Sequence, residues 1–77
     1  MKLEIITPEK KLFEGDVKYV YLPGSSGALG ILDHHAPLIT TLKEGELRVD
    51  TGTEKKSFNV KGGVVEVLNN KVIILAE

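Results

Sequence analysis

The chain has 77 residues, with ten basic and eleven acidic side chains, a net charge of −1, no cysteine and four aromatic residues. That length allows one domain, residues 1–77, near the lower limit for a core that stands unaided, and the 42% hydrophobic and 27% charged content is that of a folded chain. The missing cysteines exclude a disulfide framework and a thiolate metal site. With no Lys/Arg block and few aromatics, a nucleic-acid surface is excluded as well.

Apolar runs such as Val72–Ala76 are too short to cross a bilayer as a helix. Met1–Ile6 lacks an export-signal core, so a reduced, soluble, intracellular domain is expected. Leu3–Thr7 reads as a first strand stopped at Pro8, and Lys11–Asp16 as a second, weakened by Gly15. Val17–Leu22 is rich in β-branched and aromatic residues and suits a strand buried on one face and partly covered on the other. Leu22–Leu38 holds three glycines at a spacing of three (Gly24, Gly27, Gly30), two prolines and both histidines. Such a stretch predicts a shaped loop, a short strand at Ala28–Leu32 and a sharp bend, and it is the expected recognition surface.

Leu38–Leu42 follows as a strand, ending at the turn Lys43-Glu44-Gly45. Glu46–Thr51 alternates strictly, so Leu47 and Val49 should face the core. Gly52-Thr53 turns into Glu54–Val60, where Phe58 and Val60 share a face. Gly62-Gly63 introduces Val64–Leu68, and Asn69-Asn70 is a two-residue turn tolerant of positive φ before Lys71–Leu75. Eight or nine short strands without helical periodicity predict an all-β fold, a two-sheet sandwich or flattened barrel.

Chemistry is sparse. Asp33, His34 and His35 suggest a metal site, but neighbours on an extended segment point to opposite faces, and no third His or Cys completes a zinc set. One histidine is expected to bond backbone in the bend and the other to meet solvent or a partner. The glycine spacing is not a dinucleotide fingerprint, and Ser26 lacks a nucleophile-elbow frame because position 28 is Ala. No catalytic constellation or cofactor site stands out. Lys71 beside a hairpin turn admits a rival reading, a free-standing carrier or ligand-binding β domain, with Lys71 or the His34-His35 bend as its site.

Taken together, Ile6-Thr7-Pro8, Phe13-Glu14-Gly15, Leu22-Pro23-Gly24, Gly27–Leu32, His35–Leu38, Leu42–Arg48 and Gly62–Val67 form an ordered set that resembles the epsilon subunit of F-type ATP synthase, called delta in mitochondria. The resemblance implies a β-sandwich of about ten strands and a non-catalytic subunit of the central stalk, at the cytoplasmic face of the bacterial inner membrane. It would couple proton or sodium flow to ATP synthesis by binding the gamma subunit and the proteolipid ring. By position, the ring-side contacts map onto Ser25, Ser26, Gly27, Ala28 and Leu29, and the gamma-side contacts onto Thr7, His35, Pro37, Leu38 and Thr40. Ala28 stands where relatives often carry an acidic residue. The sequence ends at Glu77, where most bacterial relatives continue into the helical hairpin that carries inhibition of hydrolysis, so the resemblance implies coupling and assembly without inhibition.

Overall fold

A computed structural model describes residues 1–77. Nine strands follow in chain order: β1 Lys2–Ile6, β2 Lys11–Asp16, β3 Tyr19–Gly24, β4 Gly27–Leu32, β5 Leu38–Leu42, β6 Gly45–Asp50, β7 Lys55–Val60, β8 Gly63–Leu68 and β9 Lys71–Ala76. No helix is present. The strands run in the order β2-β1-β9-β8-β5-β3-β6-β7, with β4 on the other side of β3. All pairs are antiparallel except β1 with β9.

The sheet is one path bent into two layers. β2-β1-β9-β8-β5 forms one layer and β4-β3-β6-β7 the other, joined by the single pair Gly24–Leu42. Alternation supplies the core from both. Leu3, Ile5, Val65, Val67, Val72 and Ile74 point inward from the first layer, and Val20, Leu22, Ile31, Leu47 and Val49 from the second. Each is essentially inaccessible to water. The predicted inward placing of Leu47 and Val49 holds, and Phe58 packs against the core on the same face as Val60.

Local differences from the expected strands have clear causes. β2 keeps its full run despite Gly15, because that glycine sits beside the Phe13 ring and opposite Leu3. Val17 lies outside β3, yet it is buried and exchanges hydrogen bonds with Met1: its N–H donates to the Met1 carbonyl at 2.8 Å and the Met1 ammonium donates to the Val17 carbonyl at 3.1 Å. Asn69 and Asn70 take φ values of 51° and 60°, the tight turn expected of them.

The largest correction concerns Leu22–Gly27. The chain does not loop there; β3 runs straight through Pro23 and Gly24, both buried, to a two-residue turn at Ser25-Ser26. Proline is tolerated because its carbonyl faces β5, accepting the Lys43 N–H at 2.9 Å, and its missing donor leaves no β4 bond unmade. Gly24 is required by space: a Cβ there would stand 2.5 Å from the Gly27 carbonyl oxygen.

Candidate partner-binding surfaces

The β3–β4 tip is held rigidly by β5. The Ser25 N–H donates to the Thr41 carbonyl at 2.9 Å, and the Thr41 hydroxyl donates to Ser25 Oγ at 2.8 Å. Gly27, at φ 135°, accepts a backbone angle that side chains resist. Of the ring-side candidates, Ser25, Ser26, Gly27 and Ala28 are exposed side by side, whereas Leu29 turns inward and packs against the core. The tip therefore offers small polar groups and backbone on a stiff base.

The histidine bend lies at the other end of β4. It is a turn and not an extended segment: His34 has φ 63°, and its N–H donates to Asn70 Oδ1 at 2.8 Å. His35 Nδ1 lies 2.7 Å from the Ala36 carbonyl, to which it donates, so His35 is the histidine that bonds backbone while His34 stays exposed. Asp33 turns away to the Met1 ammonium at 2.6 Å, and that contact holds its carboxyl below the ordinary range. The Asp33 and His35 side chains thus have separate engagements, and the His34 imidazole stays exposed.

Lys71 is exposed beside the Asn69-Asn70 turn, but it is paired. Its Nζ reaches Glu4 Oε1 at 3.1 Å, and Lys11 reaches the other Glu4 oxygen at 3.4 Å. The bond from Lys71, with Lys11 assisting against partial desolvation, lowers the Glu4 pKa. A lysine committed to a carboxylate across the β1–β9 pair is a poor modification arm.

The outer face of β5-β8-β9-β1 carries the most exposed apolar surface. Val64 lies opposite Leu75, and Leu75 opposite Ile6. The adjacent row runs Ile39, Glu66, Ile73. Ile39 is 72% exposed, Leu75 53% and Leu68 48%. Neighbouring strands lie about 4.8 Å apart, so these side chains share one face, with the exposed Glu66 carboxylate among them. Pro37 and Ile39 with Glu66 and Leu68 border a shallow groove beside it.

The gamma-side candidates divide around this patch. Thr7 follows Ile6 at one end, its hydroxyl donating to the Lys10 carbonyl at 2.9 Å. His35 and Pro37 are exposed at the opposite end, near the start of β5. Leu38 and Thr40 are opposite Val67 and Val65, both buried, so they lie on the inward face and are only half-exposed. Ile39 between them points outward. Sequence reading missed Ile39 and Leu75, because Leu38–Leu42 and Lys71–Leu75 carry apolar residues on both faces and do not show which face is exposed.

Comparison with known proteins places this fold. All 77 residues match the family described as ATP synthase, Delta/Epsilon chain, beta-sandwich domain. The ATP synthase epsilon chain of Desulforamulus reducens is 46% identical over 76 residues, covering 99% of this chain and 58% of that protein. The epsilon chain of Caulobacter vibrioides is 40% identical over 77 residues, covering 100% of this chain and 90% of that one. Two solved structures share the fold: a chain of the Euglena gracilis mitochondrial ATP synthase (OSCP/F1/c-ring), TM-score 0.90, 21% identical, covering 96% of this chain and 48% of that one; and a chain of the Tetrahymena thermophila central stalk/c-ring, TM-score 0.84, 24% identical, covering 99% and 62%. The fold and the family match over all 77 residues define a delta/epsilon-type β-sandwich. The chain belongs to the delta/epsilon family of ATP synthase subunits. It spans little more than half the length of several curated epsilon chains that it matches, that of Desulforamulus reducens among them.

Proposed function

We propose that this chain acts as a non-catalytic central-stalk element of an F-type ATP synthase, joining the gamma subunit to the proteolipid ring at the cytoplasmic face of a bacterial membrane. The observation that carries the reading is the unpartnered apolar face of Ile39, Val64, Leu68 and Leu75 on a folded family member. Patches of this kind mark protein–protein contacts.

Gamma docks on that outer face. Thr7 bounds the contact at one end, and His35 and Pro37 at the other. Leu38 and Thr40 support it from behind, and Ile39 makes the contact their positions suggested. The ring meets Ser25, Ser26, Gly27 and Ala28 at the β3–β4 tip, with Leu29 anchoring the tip to the core. With Ala at position 28, that contact rests on small polar groups and backbone and not on a carboxylate. The chain breaks no bonds; it passes torque between two surfaces through a rigid sandwich.

The test is co-elution with the cognate gamma subunit at low and high salt. A complex that survives salt and is lost in Ile39→Asp and Leu75→Asp is expected, since an apolar contact is not screened. Absence of any complex, or a complex indifferent to both substitutions, would overturn the placement of gamma.

A further inference from the structure

The strand path ends at β2 and β7 and branches to β4, leaving an open edge on each, while β5 meets β3 only through Gly24–Leu42. An open edge is a row of unpaired N–H and C=O groups, which proteins blunt with charge, proline or bulges. β2 is guarded by Lys11, Glu14 and Asp16 and by a register shift, and β7 by Lys55 and Lys56. β4 reads Gly-Ala-Leu-Gly-Ile-Leu, with no charge, no proline and an unbroken register. Nothing in its own sequence discourages a further strand.

The tip fixes which way its backbone groups point. The Ser25 N–H donates to Thr41 and the Lys43 N–H to Pro23, so Pro23 and Ser25 address β5 and Gly24 addresses Gly27. In-plane direction alternates along a strand. Leu29 and Ile31 therefore also face β3, while Ala28, Gly30 and Leu32 turn their N–H and C=O groups to the open edge. All three are exposed, Leu32 by 61%.

We propose that this edge pairs with the β4 edge of a second copy, antiparallel and centred on Gly30. On that register Gly30 faces Gly30 of the second copy, and Ala28 faces Leu32 of the second copy on both sides of the axis. Every outward-facing residue then falls in a hydrogen-bonded pair. A one-residue slip would oppose outward groups to inward ones and lose the ladder. The side chains favour the same copy-to-copy match, because each large Leu32 lies beside a small Ala28 and the axis carries no side chain. Glycine at the axis is also fixed from within, since the Tyr19 hydroxyl stands 2.7 Å from where a Cβ on Gly30 would be. Edge pairing buries well under the ~1,200 Å² of a stable interface, so the dimer is weak and concentration-dependent. The inference rests on backbone geometry and is independent of the stalk reading.

Sedimentation equilibrium of the 77-residue chain over a rising concentration series tests it. A reversible monomer–dimer equilibrium is expected. Ala28→Lys/Leu32→Lys brings lysines directly opposite each other twice and should weaken dimerisation by about tenfold or more. Ala28→Glu/Leu32→Lys sets opposite charges at the same two places and should restore it. Both pairs of substitutions are at exposed positions, and circular dichroism with a melting curve verifies that each variant is folded. A monomer at every concentration would overturn the proposal. So would equal behaviour of the two double variants, or a dimer lost only on Ile39→Asp.

Discussion

Single residues in this fold are constrained by space more than by chemistry. Gly24 is the sharpest case: a methyl group there meets the Gly27 backbone oxygen at 2.5 Å, and backbone cannot step aside as a side chain does. Gly24→Ala is expected to cost about 1–3 kcal/mol, as overpacking does. Leu47→Ala, which empties a fully buried site, is expected to cost about 2–5 kcal/mol. Chemical denaturation of each variant measures both losses. Two carboxylates make the acid response readable. Asp33 and Glu4 both have folded pKa values below their ordinary ones, Asp33 through the Met1 ammonium and Glu4 through Lys71. Their contribution is complete above the unfolded carboxylate pKa and disappears as pH falls through the depressed folded value. The melting temperature should therefore fall on acidification below the usual carboxylate range, and Asp33→Asn with Glu4→Gln should flatten that decline while lowering the melting temperature slightly at neutral pH.

At the scale of elements, the strands do unequal work. β8 and β9 give one face to the core and the other to the exposed apolar side chains, so their two faces separate stability from binding. Leu68→Asp and Val64→Asp are expected to leave the melting temperature within a few degrees of the parent, since exposed substitutions are usually small in effect. The same changes should weaken capture by gamma, as measured by a titration. A large loss of stability in either variant would instead place these side chains in the core. Much of this was legible beforehand. The alternation in Glu46–Asp50 placed Leu47 and Val49 inside, because a half-buried strand writes its orientation in its sequence. Val64-Val65-Glu66-Val67-Leu68 was harder to orient, since apolar residues occupy both faces. Leu22–Gly27 misled because glycine and proline usually punctuate; here Pro23 sits where β3 needs no donor toward β4, and Gly24 where two backbones converge.

For the whole molecule, the measures are small: a radius of gyration of 11.0 Å and extents of 25 × 23 × 18 Å. One core of 15 buried residues links both layers. Thr7 and the His35–Pro37 bend stand at opposite ends of the apolar face, and the Ser25–Ala28 tip stands apart from both histidines. A body this short carries a contact at one surface to a contact at another without a flexible joint. That is what a torque-bearing element requires, and it sets the scale at which the stalk reading is to be tested, with both partners present together.

The sequence by itself determined the all-β class, the near-correct strand boundaries, the tight Asn69-Asn70 turn and the inward residues of the alternating strands. Those are local matters, decided by period, β-branching and backbone angle. Its ordered motifs also carried the family resemblance. Only the tertiary structure decided that Leu38 and Thr40 lie behind Ile39, that Lys71 is spoken for by Glu4, and that β4 ends the sheet with an unguarded edge. Each of these depends on which strand lies beside which, and strand pairing joins residues far apart in the chain that no local pattern relates.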